Sequence, residues 1–143
     1  YANQGVPEGR IVIAGMQTQG RGRLGRSFFS PSDSGLYMSI LLRPDMAAAD
    51  AVKITTAAAV SVALAVEKVS DQKPDIKWVN DIYINGRKIC GILTEASFSM
   101  ESGGLDYAVL GEMPGIRLAW AIVSGSIRVS FWRASVDKDW IEL

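Results

Sequence analysis

Between residues 47 and 69 the chain holds no glycine and no proline, and alanine and valine dominate. Val52, Ala59, Val62 and Val66, with Ile54, Ala58 and Leu64, cover most of a helical circumference. A long helix is therefore expected here, largely buried against a sheet. Asp45 is placed to cap its start, Asp50 lies in its first turn, and the stretch from Asp71 to Asp75 ends it, with Pro74 as the breaker. One long helix constrains the remainder of the chain. Strands that lack helical crossovers pair mainly through hairpins.

The strands are legible as short apolar runs. Ile11-Val12-Ile13-Ala14 follows a polar opening with turn residues Gly5, Pro7 and Gly9. Leu36 to Leu42 forms a second run, stopped by Arg43-Pro44. Ile76-Lys77-Trp78-Val79 and Ile82-Tyr83-Ile84 come after the helix, and Asn85-Gly86 is a strong two-residue hairpin signal. It returns the chain into Lys88 to Glu95, and a strand over Asp106 to Gly111 follows the polar turn 97–104. Ser30-Pro31-Ser32-Asp33-Ser34-Gly35 is a further turn cluster. Near the end, Ile127, Val129 and Phe131 alternate with Arg128, Ser130 and Trp132, a half-buried pattern, whereas Trp120, Trp132, Arg133 and Trp140 match no motif. Hairpins with one long helix argue an α+β fold.

Composition removes several kinds of chemistry. There is no histidine and one cysteine, Cys90, which excludes Ser-His and Cys-His catalysis, an internal disulfide and an all-cysteine metal site. Catalysis must come from Lys, Arg, Asp, Glu or backbone groups. The formal net charge is 0, so no global basic field drives non-specific nucleic-acid binding. No secretory signal and no uninterrupted apolar run of about 18 residues is visible. A cytoplasmic protein without a membrane segment is expected.

Positive charge is instead local, in Gly20-Arg21-Gly22-Arg23-Leu24-Gly25-Arg26. The glycines allow close backbone approach, and arginine forks grip carboxylate or phosphate through paired hydrogen bonds. Gly20, Gly22 and Gly25 satisfy the dinucleotide pattern G-x-G-x-x-G, but that pattern requires a helix to open at the loop. Here Arg26-Ser27-Phe28-Phe29-Ser30-Pro31 follows, with turn signals and no helical run. A P-loop fails too, because no Gly-Lys-Ser/Thr closes it. The loop reads as an anion grip or as a flexible surface turn with solvated arginines. A second candidate is Lys77-Trp78-Val79-Asn80-Asp81, with Lys77 and Val79 on one strand face and Trp78 on the other; Asn80 and Asp81 at the strand end read equally as turn formers. The third is Lys88, a lysine on an otherwise apolar strand, which either snorkels to water or meets an anion.

Together these segments carry a resemblance. Gln17-Thr18-Gln19-Gly20-Arg21-Gly22-Arg23-Leu24-Gly25-Arg26, then Lys77-Trp78-Val79-Asn80-Asp81, then Lys88-Ile89-Cys90-Gly91-Ile92-Leu93-Thr94-Glu95 resemble biotin protein ligases in order and spacing. Phe29-Ser30-Pro31 and Gly35-Leu36-Tyr37-Met38-Ser39 resemble them too. The resemblance implies a class II synthetase-like core, with a mixed, largely antiparallel sheet and packed helices. It implies an enzyme that joins biotin to ATP as biotinyl-5′-AMP, with Mg²⁺, and passes biotin to a lysine of a biotin carboxyl carrier protein. Related readings are a lipoate or octanoyl ligase and a non-catalytic remnant that binds biotin or the carrier.

Residue by residue, the resemblance makes Lys88, Asp81 and Arg23 catalytic. Lys88 would bridge the biotin carboxylate and the α-phosphate, and Asp81 would help take the proton of the carrier lysine. The loop residues Gly20, Arg21, Gly22, Arg23, Gly25 and Arg26 would close over biotin and the adenylate. Gln17 would hydrogen-bond near biotin, and Gly91 would let backbone approach its ring. Lys77, Trp78, Asn80 and Asp81 would face the nucleotide. No metal ligand is assigned; Asn80 and Asp81 would lie near Mg²⁺. Cys90 reads as a core residue. Val79 stands where the family usually has proline, and the family's upstream Ser-Thr-Asn strand has no counterpart before Tyr1. After Gly111 the chain reads Glu112-Met113-Pro114-Gly115-Ile116-Arg117, with a proline in what should be an interior strand. A partial ligase core over 1–111 and an atypical, replaced or frame-altered tail over 112–143 are expected. A DNA-binding winged helix has no residues here to reside on, and a homodimer is compatible with the resemblance.

Overall fold

A computed structural model describes residues 1–32, 35–70, 72–112, 132–134 and 140–142. The strands are β1 (Ile11–Ala14), β2 (Tyr37–Leu42), β3 (Asp75–Lys77), β4 (Asp81–Ile84), β5 (Arg87–Phe98), β6 (Leu105–Glu112), β7 (Trp132–Ala134) and β8 (Trp140–Glu142), and α1 spans Val52–Ser70. They form one sheet in the order β3-β4-β5-β6-β2-β1-β7-β8. Every neighbouring pair is antiparallel except β1 with β7. The sheet is thus mixed and largely antiparallel, as expected, with one α-helix and three short 3-10 turns among the described residues. The alternating stretch 127–131, Trp120, Asp33, Ser34 and Asp71 lie outside the described residues.

Helix α1 covers one face of the sheet. Ile54, Ala58, Ala59, Val62 and Val66 recur at helical spacing and pack with Ile82, Cys90, Ile92, Ala108 and Leu110. Across the interface Thr55 Oγ1 donates to Thr94 Oγ1 at 2.7 Å, so each hydroxyl has a partner. The expectation of burial around most of the helix does not hold. Val52, Val60 and Leu64 are exposed, because a helix on a single-layer sheet buries only one stripe. The stretch Ala48–Lys68 (mean hydropathy 1.6) is long and apolar enough to cross a membrane, but the inward stripe of α1 is part of the core cluster. Asp45 does not cap it. A 3-10 turn at Ala48–Asp50 precedes the helix without a side-chain cap, and Asp50 pairs with Lys53 at 2.6 Å.

Asn85 and Gly86 both take positive φ, 50° and 73°, the conformation that a tight hairpin between β4 and β5 demands. The strand expected over residues 76–79 is shorter: β3 ends at Lys77, and Trp78, Val79 and Asn80 form a turn with a cis Trp78–Val79 peptide. Val79 is buried while Trp78 and Lys77 face solvent, so the alternation expected for this segment does not apply. Cys90 is buried in the core. Arg43 fastens the N-terminal segment, donating to Val6 O (3.1 Å) and Ala2 O (2.7 Å).

Candidate functional site

The face of β4 and β5 opposite the helix carries the charged groups. Residues paired across a ladder share a face. Lys77 pairs with Asp81, Asp81 with Gly91, and Tyr83 with Lys88. In a regular strand Lys88 would share the core face with Cys90 and oppose Gly91. The register slips between Ile82 and Tyr83, so that Ile82 pairs with Cys90 but Tyr83 with Lys88. That bulge inserts one residue into β5, and bulges re-aim side chains. Lys88 consequently joins Gly91 and Asp81. Its Nζ lies 2.7 Å from Asp81 Oδ1, and a Cβ on Gly91 would stand 3.0 Å from both Cε and Nζ of Lys88. The missing side chain at Gly91 is the space the lysine occupies.

Asn80 ties the β3–β4 turn to β5. Its Nδ2 donates to Ile92 O (3.1 Å) and Asp81 Oδ1 (3.2 Å), and its backbone oxygen accepts from Ile92 N at 2.8 Å. Its Oδ1 accepts from Arg23 Nη1 at 3.1 Å. Every polar atom of this side chain is thus used, which fixes the Asp81 carboxylate beside it. Lys77 places its ammonium 5.7 Å from the Tyr83 ring centroid, and Lys88 lies 5.6 Å from that of Phe28.

The Gly/Arg loop folds over these residues. Its base is closed by Gln17 N to Ser30 O (3.0 Å) and Phe28 N to Gly20 O (2.8 Å). Ser30, 4% exposed, donates to Gln17 Oε1 at 3.0 Å. A Cβ on Gly20 would collide with the Phe28 carbonyl oxygen, so close backbone approach requires glycine here. Arg21 and Ser27 form an isolated antiparallel bridge, and Arg23–Gly25 is a 3-10 turn with Leu24 at φ 58°, ψ 36°. No helix starts at the loop, which excludes the dinucleotide geometry. Arg21 Nη1 meets Glu95 Oε1 at 3.2 Å, so the loop is pinned to β5 at Arg21 and to the turn at Arg23.

A cleft of about 380 Å³ lies between the loop and the sheet. Arg21, Gly22, Arg23 and Arg26 line it from above, with Lys77, Trp78, Asn80, Asp81, Lys88 and Gly91 below. Five cations face one carboxylate, an arrangement that holds anions. A second cleft of about 260 Å³ adjoins it, lined by Gln17, Gln19, Ser39, Leu93, Glu95 and Gly111. Arg21 and Leu93 border both. Of the residues singled out from sequence, Gln17 belongs to the second cleft, and Gly20 and Gly25 border neither, lying instead along the loop. Glu95, Phe28 and Ser30 were not singled out. Glu95 closes the Lys88–Glu95 motif, and its long-range arginine partner leaves no local signal. Among the described residues no group of three His, Cys, Asp or Glu could hold a metal ion.

Residues 2–110 match the model of the biotin/lipoate A/B protein ligase family. The chain is 47% identical over 94 residues to the bifunctional ligase/repressor BirA of Bacillus subtilis, covering 66% of this chain and 29% of that protein. It is 34% identical over 118 residues to the biotin–[acetyl-CoA-carboxylase] ligase of Paracoccus denitrificans, covering 81% of this chain and 47% of that one. The fold is similar to the biotin protein ligase of Aquifex aeolicus solved with biotin and ATP (TM-score 0.63, 30% identity), covering 79% of this chain and 45% of that one. The chain therefore spans less than half the length of each of these proteins.

Proposed function

The chain belongs to the biotin/lipoate A/B protein ligase family, and from that premise we propose that it activates biotin with ATP and transfers it to a carrier-protein lysine. The observation that carries this reading is the meeting of Lys88, Asp81 and Gly91 under a loop of three arginines. Attack of the biotin carboxylate on the α-phosphate brings two anions together, releases pyrophosphate and leaves biotinyl-5′-AMP. Fixed cations lower that barrier by positioning and charge neutralisation. Lys88 serves as the compact charge between the two oxygens, and Arg21 and Arg23 exchange Glu95 and Asn80 for substrate oxygens. In the second step the carrier lysine attacks the acyl carbon and AMP leaves. Asp81, released from Lys88, takes the amine's proton.

The polar second cleft, with Gln17, Gln19, Ser39 and Glu95, suits the hydrogen-bonding ureido ring of biotin. Lipoate's dithiolane would leave these groups without partners, at the cost of their desolvation. Arg26, Lys77 and Asn80 face the nucleotide end of the first cleft. Mg²⁺ neutralises phosphate charge when bound. With one carboxylate, Asp81, beside Asn80, it would be held mainly by phosphate oxygens and water, as this ion commonly is.

The test is incubation with biotin, ATP and hydroxylamine, which converts an acyl-adenylate into biotinyl hydroxamate, with lipoate as competitor. ATP-dependent hydroxamate from biotin in preference to lipoate is expected. Biotin binding without any ATP-dependent product would instead favour a non-catalytic binder.

A further inference from the structure

Two large apolar side chains stand in solvent at the mouth of the first cleft. Leu24 is 90% exposed and Trp78 77% exposed, and both border that cleft. They come from distant segments, which the 3.1 Å hydrogen bond from Arg23 to Asn80 joins before substrate binds. Leu24 also occupies the left-handed backbone region, which leucine rarely adopts. Single exposed apolar residues need no explanation. Two that border one reactive cleft, together with Arg21, Arg23, Arg26 and Lys77, do.

We propose that Leu24 and Trp78 form the docking rim for the acyl-acceptor protein, gripping the surface around its target lysine. This rests on the ligase reading. The acceptor amine must enter the cleft to reach an acyl group held near Lys88, and a lysine side chain is only a few bonds long. The surface that carries it must therefore settle on the mouth, against these two side chains. An apolar centre inside a charged margin is the usual anatomy of a protein interface. In the chain without biotin and ATP the margin is basic, so the fitting partner is a carrier domain whose lysine-bearing turn has an apolar residue flanked by carboxylates. A second copy of the chain fits poorly, because two such basic rims facing each other repel.

The test uses Leu24→Asn, since asparagine tolerates this backbone region, and Leu24→Asp, which also sets a carboxylate against those of the partner. The probe is the isolated apo biotin carboxyl carrier domain of an acetyl-CoA carboxylase, immobilised without ATP. Binding to the wild-type chain is expected to weaken about fivefold or more in Leu24→Asn, and further in Leu24→Asp, as for a central interface side chain. The carrier KM should rise in step, while hydroxamate formation without carrier stays within about twofold. Unchanged carrier affinity and KM would overturn the proposal, as would a parallel fall in hydroxamate, which would place Leu24 in adenylate formation. Carrier binding that depends on Leu24 in a chain that forms no adenylate would uphold the rim and defeat the ligase reading.

Discussion

The ammonium of Lys88 lies 2.7 Å from Oδ1 of Asp81, on a face of the sheet that strand alternation alone would have denied it. The bulge opposite Tyr83 puts it there. Both charges are partly exposed, with side-chain accessibilities of 35% and 20%, so an incoming anion can compete for the lysine. The pair holds the ammonium in place within the cleft.

Replacing this lysine should separate chemistry from folding. Lys88→Ala is expected to lower hydroxamate formation by roughly 10²- to 10³-fold, the range for losing a charge-stabilising donor, with thermal stability changed by less than about 1 kcal/mol. Lys88→Arg should not restore it, because a planar fork does not replace a compact ammonium. Near-wild-type turnover in Lys88→Ala would remove its assigned role.

Gly91 offers a test of position. An added methyl meets the flexible end of Lys88, at 3.0 Å from Cε and Nζ, so the lysine swings away and the backbone stays. Gly91→Ala should fold with a Tm near that of the wild type yet lose roughly 10- to 100-fold in adenylate formation, as displacement of a reacting group does. Gly20→Ala meets the Phe28 carbonyl instead and should distort the loop itself. Equal melting temperatures for the two variants would contradict this distinction.

The loop latch can be read by proteolysis. Arg21 and Glu95 are largely exposed, so their pair contributes on the order of 0.2–1 kcal/mol. Glu95→Gln should leave global stability almost unchanged while trypsin cuts faster at Arg21, Arg23 and Arg26. Added salt should narrow the difference from wild type, since screening weakens the same contact. Identical cleavage at low salt would mean the loop is held by other contacts.

The two faces of α1 should respond in opposite ways. Val62 is buried against the sheet, whereas Leu64 is 61% exposed. Val62→Ala is expected to cost about 1–3 kcal/mol through lost burial and the cavity left behind. Leu64→Ala should fall within about 0.5 kcal/mol of wild type. Denaturant titration distinguishes them, and comparable losses would place the helix in a different orientation.

Much of the scaffold was legible because its signals are local. The Asn85-Gly86 turn takes positive φ wherever it stands between apolar runs, and β-branched runs such as Ile11-Val12-Ile13 favour strands. Helix α1 was legible as a helix but not in its exposure. Periodicity states which residues are apolar, while the number of layers packed on them decides which are covered. Asp45 matched a capping residue by type, yet the 3-10 turn at Ala48–Asp50 moved the helix start beyond its reach. Val79 was read on a strand that ends at Lys77.

By itself the sequence determined which chemical groups exist and in what order: the glycine–arginine loop, the Asn80-Asp81 pair, the lysine three residues before Gly91, and the absence of histidine. The tertiary structure decided which of them meet. The partners Arg21 and Glu95 are 74 residues apart, and Arg23 and Asn80 are 57 apart, so no local propensity encodes either contact. The face of Lys88 turned on one inserted residue, because strand alternation has a period of two and a single slip reverses every later side chain.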